Sequence, residues 1–175
     1  DRGIDAAVMP LSKQDMYMKR VAHLHMEATI LMHALDWDCH AWQQMAEQSR
    51  HLIVNFDDPA ILHQFKRADY VKKDRPYISF GIDSMADFRA TNLHIEEREG
   101  RLGTAFTLEL HGKPSYFVLV GLPGRYQVLN SLAALSVISL SQMSISAAVE
   151  GLRAISIPGR SEPVANDLGL SIYID

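Results

Sequence analysis

The residues with the most reactive side chains lie together in one stretch of the 175-residue chain, "HALDWDCH". It contains His33, Asp36, Asp38 and His40, together with the single cysteine, Cys39. Imidazole and thiolate groups bind zinc, and carboxylates also bind harder cations. The sequence has no HExxH motif and no paired CxxC motif, so a polar loop after a strand is the favoured interpretation. A metal site with His40 as a ligand is the alternative.

A second stretch, "LVGLPGRYQVLNSLAALSV", combines a strand end, a Gly-Leu-Pro-Gly turn and a helix start. The first turn of such a helix has free N–H groups and the positive end of the helix dipole, which suit an anion or a nucleotide. The amide groups of Gln127 and Asn130 can read the edge of a base. The competing interpretation is a tight turn before a buried helix, and the apolar periodicity favours it.

Sequence motifs that hold phosphates or carry a nucleophile are absent, since the chain has no GxxxxGK[ST], GxGxxG or GxSxG pattern. An enzyme that uses ATP neutralises the phosphates with backbone N–H groups and a lysine. The basic run "VKKDRP" is interpreted as a solvated loop. We therefore predict that this chain alone does not hydrolyse ATP.

Apolar runs alternate with helix-like segments in the first half, which predicts an α/β fold with a parallel sheet and right-handed crossovers. The predicted buried strands are "DAAVM", "EATILM" and "HLIVNF", with a weaker strand at "YISFGI". Pro59 fits the first turn of a helix that Asp57 or Asp58 caps.

The second half predicts an antiparallel meander followed by two helices. The meander strands are "DFRATNLHIEE", "RLGTAFTLEL" and "SYFVLV", and the middle strand alternates with a period of two, so one of its faces is expected in water. The helices are predicted at about 126–141 and 146–155, with Ser144 as the cap of the second. "SIPGRSEP" is a predicted linker. Both chain ends are expected to be cut from a larger protein, because the terminal strands have nothing to pair with.

Charge and composition exclude several classes of partner. A formal net charge of -4 gives no basic surface for nucleic acid. The uncharged run 127–149 contains many serine and amide groups, so it predicts two buried helices and no membrane span. No signal peptide opens the chain, and a single cysteine fits a reducing compartment. We predict a cytoplasmic protein with no nucleic-acid or membrane partner.

Several segments, in the correct order over nearly the whole chain, resemble the Mur ligases, particularly the UDP-N-acetylmuramoyl-tripeptide synthetases. They are "AAVMPLSKQDMYMKRVAHLHMEATILM", "VNFDDP", "GIDSMADFRATNLHIEE", "GLPGRYQVLNSLAALSV", "AAVEGLRAISIPGRSEPV" and "LGLSIYID". The resemblance implies a P-loop-type central domain lacking its N-terminal part, with a parallel sheet, a small antiparallel meander and two C-terminal helices. Residues 1–157 would be the later part of that domain, with the antiparallel annex at 86–120. Residues 158–175 would be the linker and first strand of the C-terminal ligase domain.

The same resemblance implies an ATP-dependent, ADP-forming amide ligase of peptidoglycan-precursor synthesis. In that family ATP and Mg²⁺ activate a carboxylate of a UDP-N-acetylmuramoyl-peptide as an acyl phosphate, which the amine of an amino acid then attacks. By position, Gln127, Asn130 and Arg160 would contact the nucleotide, and Ser12 and Arg20 would face the UDP-sugar. His40 would match the last histidine of a family segment. The missing N- and C-terminal parts would complete the site, so neither ATP nor Mg²⁺ is expected to bind this chain alone.

Three departures from the family pattern concern the chemistry. Pro10 stands where the family has a metal-binding glutamate, the segment "AEQSRHL" lacks the family's carbamylated lysine, and Gln127 replaces an asparagine. Loss of both metal-organising groups would weaken the electrostatic stabilisation of phosphoryl transfer. Two interpretations stay open for the parent protein: an intact ligase, and a degenerate ligase-like domain that retains a binding or structural function.

Overall fold

The computed structural model describes residues 6–33, 39–67, 76–98, 101–164, 166 and 172–174. The elements, in chain order, are α1 (Lys13–Tyr17), β1 (Met26–Leu31), α2 (Cys39–Gln48), β2 (Ser49–Asn55), α3 (Pro59–Arg67), β3 (Tyr77–Gly81), β4 (Phe88–Arg98), β5 (Arg101–Leu110), β6 (Tyr116–Val120), α4 (Arg125–Ile138), α5 (Ile145–Arg153), β7 (Glu162–Pro163) and β8 (Tyr173–Ile174).

Strands β1 to β6 form one sheet in sequence order. Neighbours from β1 to β4 are parallel, and β4, β5 and β6 are antiparallel. Strands β3 and β4 pair only at Phe80 with Phe88 and at Gly81 with Arg89, so β4 begins beside the end of β3 and extends beyond it. The α/β fold is confirmed, and the predicted parallel sheet and meander are two halves of the same sheet.

Helices cover both faces of the sheet, and alternate residues of β2 contact the two layers. Leu52 and Val54 point to one side and Ile53 to the other, because successive side chains of a strand alternate. On the first side lies the α3 core, the buried residues Val21, Leu31, Met45, Ala46, Leu52, Val54, Ile61 and Phe65. On the other lies the larger α4 core, which includes Ile53, Phe80, Phe106, Leu108, Val118, Val128, Leu132, Leu135, Val149 and Leu152. The result is a three-layer domain.

The two C-terminal helices are confirmed as core helices. In α4, the hydroxyls of Ser131 and Ser136 donate to the carbonyl oxygens one turn earlier, each at 2.8 Å, which satisfies these polar groups inside the core. In α5, Ser144 caps the first turn by accepting from the Ala147 N–H at 3.1 Å, as predicted. Among the described residues, no helix is long and apolar enough to cross a membrane.

Two local predictions were wrong. Residues 6–9 of the predicted strand "DAAVM" form no strand, and Val8 is 94% exposed, because no described strand lies beside them to pair with their backbone. The second face of β5 is not uniformly in water, since Ala105 is fully buried. Its cross-strand neighbours, His94 and Leu119, are much larger and cover its methyl group. The domain boundary at 157/158 stays a prediction.

Candidate functional site

The carboxyl ends of the first three strands and the first turn of α4 lie together. We call this region, residues 32–33, 56–58, 82–84 and 124–130, the carboxyl edge. In open α/β sheets, ligands bind outside the carboxyl ends of parallel strands. The side chain of Asn55, the last residue of β2, donates to the Met32 carbonyl oxygen at 3.0 Å and thereby fixes the chain leaving β1.

Asp57 organises the loop that follows β3. Its carboxylate accepts from the backbone N–H groups of Ile82 at 2.6 Å, Asp83 at 3.1 Å and Ser84 at 2.8 Å. Gly81 leaves room for it, because a Cβ there would lie 2.8 Å from Asp57 Oδ1. The cap of α3 is therefore Asp58, whose Oδ1 accepts from Ala60 and Ile61 N–H at 2.9 Å. The sequence left these two carboxylates as alternatives, and the structure separates their roles.

Arg125, the first residue of α4, ties the helix to this loop. Its guanidinium donates to the Asp83 carboxylate and lies 3.9 Å from the Asp57 carboxylate. The helix start is also fixed from the meander, because the Thr104 hydroxyl donates to the Leu122 carbonyl oxygen at 3.2 Å and accepts from Gly124 N–H at 2.8 Å. Gly124 has a φ of 108°, a conformation that favours glycine, and provides no side-chain cap.

The two predicted base-reading side chains lie together on the first turns of α4. Asn130 Nδ2 donates to Gln127 Oε1 at 3.2 Å. We call them the amide pair. Their bond orients both side chains, and it leaves the Asn130 oxygen and the Gln127 amino group for other partners.

A second pair of side chains at the carboxyl edge was not predicted. The rings of His33, after β1, and Tyr126, in α4, stack with centroids 5.9 Å apart and an interplanar angle of 11°. His33 Nδ1 lies 3.5 Å from the Asp58 carboxylate. We call His33 and Tyr126 the ring pair. No local pattern indicates the ring pair, because its members are 93 positions apart (126 − 33).

Ser12 and Arg20 are brought together at the ends of α1, through Asp15. The Asp15 carboxylate accepts from the Ser12 hydroxyl at 2.6 Å, from Ser12 N–H at 3.0 Å and from Arg20 Nη1 at 3.0 Å. The Ser12 side chain, then its backbone N–H, then Arg20 hold the pKa of Asp15 below its ordinary value. The spacing Ser-x-x-Asp is that of a capping box, which would have predicted the Ser12 contact.

Of the remaining predicted site residues, Arg160 is not brought to the carboxyl edge, and the His40 side chain lies outside the described residues. Arg160 lies in the turn after α5, in a bridge with Ile157, and no described contact joins it to the amide pair. His40 lies in the first turn of α2, and its side chain is outside the described part, as are Asp36 and Asp38. Among the residues that the structure describes, no group of three or more histidine, cysteine, aspartate or glutamate side chains could hold a metal ion.

The fold and the carboxyl edge define an α/β domain of the open-sheet class, with polar and aromatic side chains where the parallel strands end. A family model described as "Mur ligase middle domain" matches residues 40–138. The chain belongs to the Mur ligase family, which confirms the resemblance read from its motifs.

Individual relatives agree with this. Over 98% of its length the chain is 30% identical to UDP-N-acetylmuramoyl-L-alanyl-D-glutamate--2,6-diaminopimelate ligase 1 of Clostridium acetobutylicum, and over its whole length 28% identical to the ligase of the same name in Clostridium perfringens. It spans only 36% and 37% of these two proteins. A solved structure of a UDP-N-acetylmuramoyl-L-alanyl-D-glutamate--2,6-diaminopimelate ligase is similar with a TM-score of 0.71, at 19% identity, over 90% of this chain and 34% of that one.

Proposed function

We propose that this chain is the later part of the middle domain of an ATP-dependent, ADP-forming amide ligase of peptidoglycan-precursor synthesis. The complete cytoplasmic enzyme would use ATP and Mg²⁺ to join an amino acid to a UDP-N-acetylmuramoyl-peptide. The observation that carries the proposal is the amide pair at the carboxyl edge of the sheet, in a chain of the Mur ligase family.

The described residues fit the base of a nucleotide and not its phosphates. An asparagine or glutamine side chain can pair with the N6 and N7 edge of adenine. Phosphates, in contrast, would face the carboxylates of Asp57, Asp58 and Asp83, while the nearby Arg125 is already paired with Asp83. Asp57 is fully engaged by backbone N–H groups, so these carboxylates do not form a ready magnesium site either. The proposal therefore places the phosphate-binding groups outside this chain, together with the metal ligands other than His40.

The other predicted contacts belong to the same proposal. Ser12 and Arg20 would face the UDP-sugar, Arg160 would reach the nucleotide from the junction with the C-terminal domain, and His40 would be a metal ligand. Bound ATP would supply the phosphoryl group that activates the substrate carboxylate, with ADP as the leaving group, and Mg²⁺ would stabilise the charge on that phosphoryl group. The contribution of this chain would be to bind and orient the base and the sugar nucleotide.

A degenerate, non-catalytic domain is the second candidate, and two observations favour it. Pro10 has no side chain that binds a metal, and the segment "AEQSRHL" lacks the lysine that the family carbamylates. A protein of this kind would bind the UDP-sugar without turnover. The sequence upstream of Asp1 separates the candidates, because a ligase needs a GKT-type phosphate loop in that part of the protein.

The test is an ADP-release assay of the complete protein with a UDP-N-acetylmuramoyl-dipeptide and a panel of amino acids. We expect amino-acid-dependent ADP release, and Asn130→Ala should raise the KM for ATP by about tenfold, as a bidentate base contact is worth about 1–3 kcal/mol. Asn166→Ala, outside the carboxyl edge, is the control. UDP-sugar binding without ADP release would establish the degenerate candidate.

Two further results bear on the parts that this chain lacks. The 175 residues alone should show no ATP turnover, and amino-acid-dependent ADP release from them would contradict the proposal. In the complete protein, Pro10→Glu should increase the magnesium-dependent rate if position 10 still faces the metal. An unchanged or lower rate would show that Pro10 belongs to a rearranged site.

A further inference from the structure

We propose that His33 and Tyr126, the ring pair, form a slot into which the base of the bound nucleotide inserts. This inference rests on the proposed function and adds to the amide pair a second mode of base recognition, through the faces of the base. The ring pair is the only stacked arrangement among the aromatic contacts within the described residues.

The geometry of the ring pair suits a flat ligand. The rings are almost parallel, at 11°, with centroids 5.9 Å apart. Carbon atoms in contact lie about 3.5 Å apart, so a base between two rings needs roughly 7 Å between their planes. The centroid distance includes any lateral offset, so it is an upper limit for the separation of the two planes, and the rings must move apart by at least about an ångström to admit a base. Exposed side chains change rotamer readily, and this makes such a shift accessible.

Exposure distinguishes the ring pair from core packing. The His33 side chain is 45% exposed and Tyr126 is 55% exposed, whereas the other aromatic contacts involve Phe65, which is buried in the α3 core, or rings beside it. About half of each side chain is accessible to solvent, and neither ring belongs to the α3 core or the α4 core. Their outer faces and edges therefore stay accessible at the carboxyl edge.

The amide pair lies directly beside the slot. Tyr126 and Asn130 are four residues apart on α4, and Gln127 and Asn130 are three apart, so all three side chains are neighbours on the helix surface. A base held between the rings would present its edge to the amides. Nucleic-acid-binding proteins recognise unpaired bases by this combination of stacking on aromatic rings and hydrogen bonding at the base edge.

Asp58 sets the position of the His33 ring. One carboxylate oxygen caps α3, and the other lies 3.5 Å from His33 Nδ1. The ring on one side of the slot is thus connected to α3, while the ring on the other side belongs to α4. The base would therefore bridge the two helical layers of the domain.

The test is an NMR titration of the complete protein with adenosine, which has no phosphates and therefore reports on the base site separately from the phosphate site. We expect upfield shifts of the ring protons of both His33 and Tyr126, together with shifts of the Gln127 and Asn130 side-chain amides. Tyr126→Ala and His33→Ala should each weaken binding at least about fivefold, because stacking of one base contributes that much or more. Tyr126→Phe and His33→Phe should keep the affinity within about twofold, since they keep the flat rings.

The matched control is Phe117→Ala, which removes an exposed ring from β6 and should not change adenosine binding. Shifts of the amides without shifts of both rings, or unchanged affinity in Tyr126→Ala, would overturn the slot and leave the nucleotide site standing. If millimolar adenosine shifts neither the rings nor the amides, the slot and the proposed base site fail together.

Discussion

At the scale of single residues, the carboxyl edge depends on carboxylates with different tasks. Asp57 and Asp58 are adjacent, yet one holds the loop after β3 and the other caps α3. The sequence identified both as capping candidates, because acidic residues before a proline are typical of helix starts. It could not assign the loop contact, since Asp57 and Ser84 are brought together only by the pairing of β2 with β3.

Replacing Asp57 tests this assignment. We expect Asp57→Asn to lower the free energy of unfolding by about 2 kcal/mol or more, because three backbone N–H groups lose a charged acceptor in a site where the side chain is only 10% exposed. The measurement is urea denaturation followed by circular dichroism. The control is Asp83→Asn, a carboxylate that is 76% exposed and should cost less than about 1 kcal/mol. Equal losses in the two variants would contradict the assignment.

Asp15 should make the start of α1 sensitive to acid. Its pKa is lowered in the folded chain, so the stabilisation is present above the ordinary value of about 3.9 and is lost as the pH falls through the folded value. An NMR titration of the Ser12 and Asp15 amides should therefore show a midpoint below about 3.9.

Two variants separate the causes of this shift. Ser12→Ala should raise the Asp15 midpoint more than Arg20→Gln does, because the Ser12 hydrogen bonds are the largest contributions. The reverse order would show that the guanidinium charge dominates. Binding of a UDP-sugar at Ser12 and Arg20 would have to displace this carboxylate, so Asp15→Asn is the informative variant for that proposal.

At the scale of elements, hydrophobic period and turn chemistry predicted most helices and strands. Alternating or continuous apolar residues predicted strands β1 to β6. Apolar stripes, Pro59 in the first turn of α3 and the Ser144 cap of α5 predicted helices α3, α4 and α5. The prediction of a strand at "DAAVM" was wrong because an apolar composition alone does not provide a neighbouring strand to pair with. The ring pair and the Asp57 loop were missed because they join elements that are distant in sequence.

The contact between the end of β6 and the end of α5 gives a prediction at this scale. A Cβ at Gly121 would lie 2.3 Å from the Ile155 carbonyl oxygen, so Gly121→Ala should destabilise the domain by about 1–3 kcal/mol. Gly151→Ala is the matched control, because nothing lies within 4 Å of a Cβ there. This helical position should gain about 0.5–1 kcal/mol from alanine. Thermal unfolding of both variants measures the difference, and a shared sign would contradict the packing argument.

At the scale of the whole molecule, β2 joins the two cores. Because its alternate residues belong to the α3 core and the α4 core, neither layer can lose its packing without exposing the same strand. The sequence predicted the layers, since βα alternation implies helices on both faces of a sheet. It did not predict that the meander continues the parallel sheet, because the pairing of β3 with β4 involves only two residue pairs.

We expect the described domain to unfold in one cooperative transition. Leu132→Ala in the α4 core and Ile61→Ala in the α3 core should each cost about 2–5 kcal/mol, since both side chains are fully buried. In each variant the helix signal in circular dichroism and the tyrosine fluorescence should shift together. Separate transitions for the two signals would contradict a single cooperative transition.

Thr104 has a consequence for how this fold can change over evolutionary time. Its hydroxyl bonds the backbone just before α4, so the position of Thr104 in β5 determines where α4 begins and where the amide pair lies. An insertion between Arg98 and Arg101, at the far end of the hairpin, would leave that distance unchanged. A deletion of one residue within the paired parts of β5 or β6 would shift their register, so that Thr104 no longer lies opposite Val120 or the faces of β6 reverse. The length of the β4–β5 connection is therefore free to vary among related chains, while the pairing of Thr104 with Val120 is constrained.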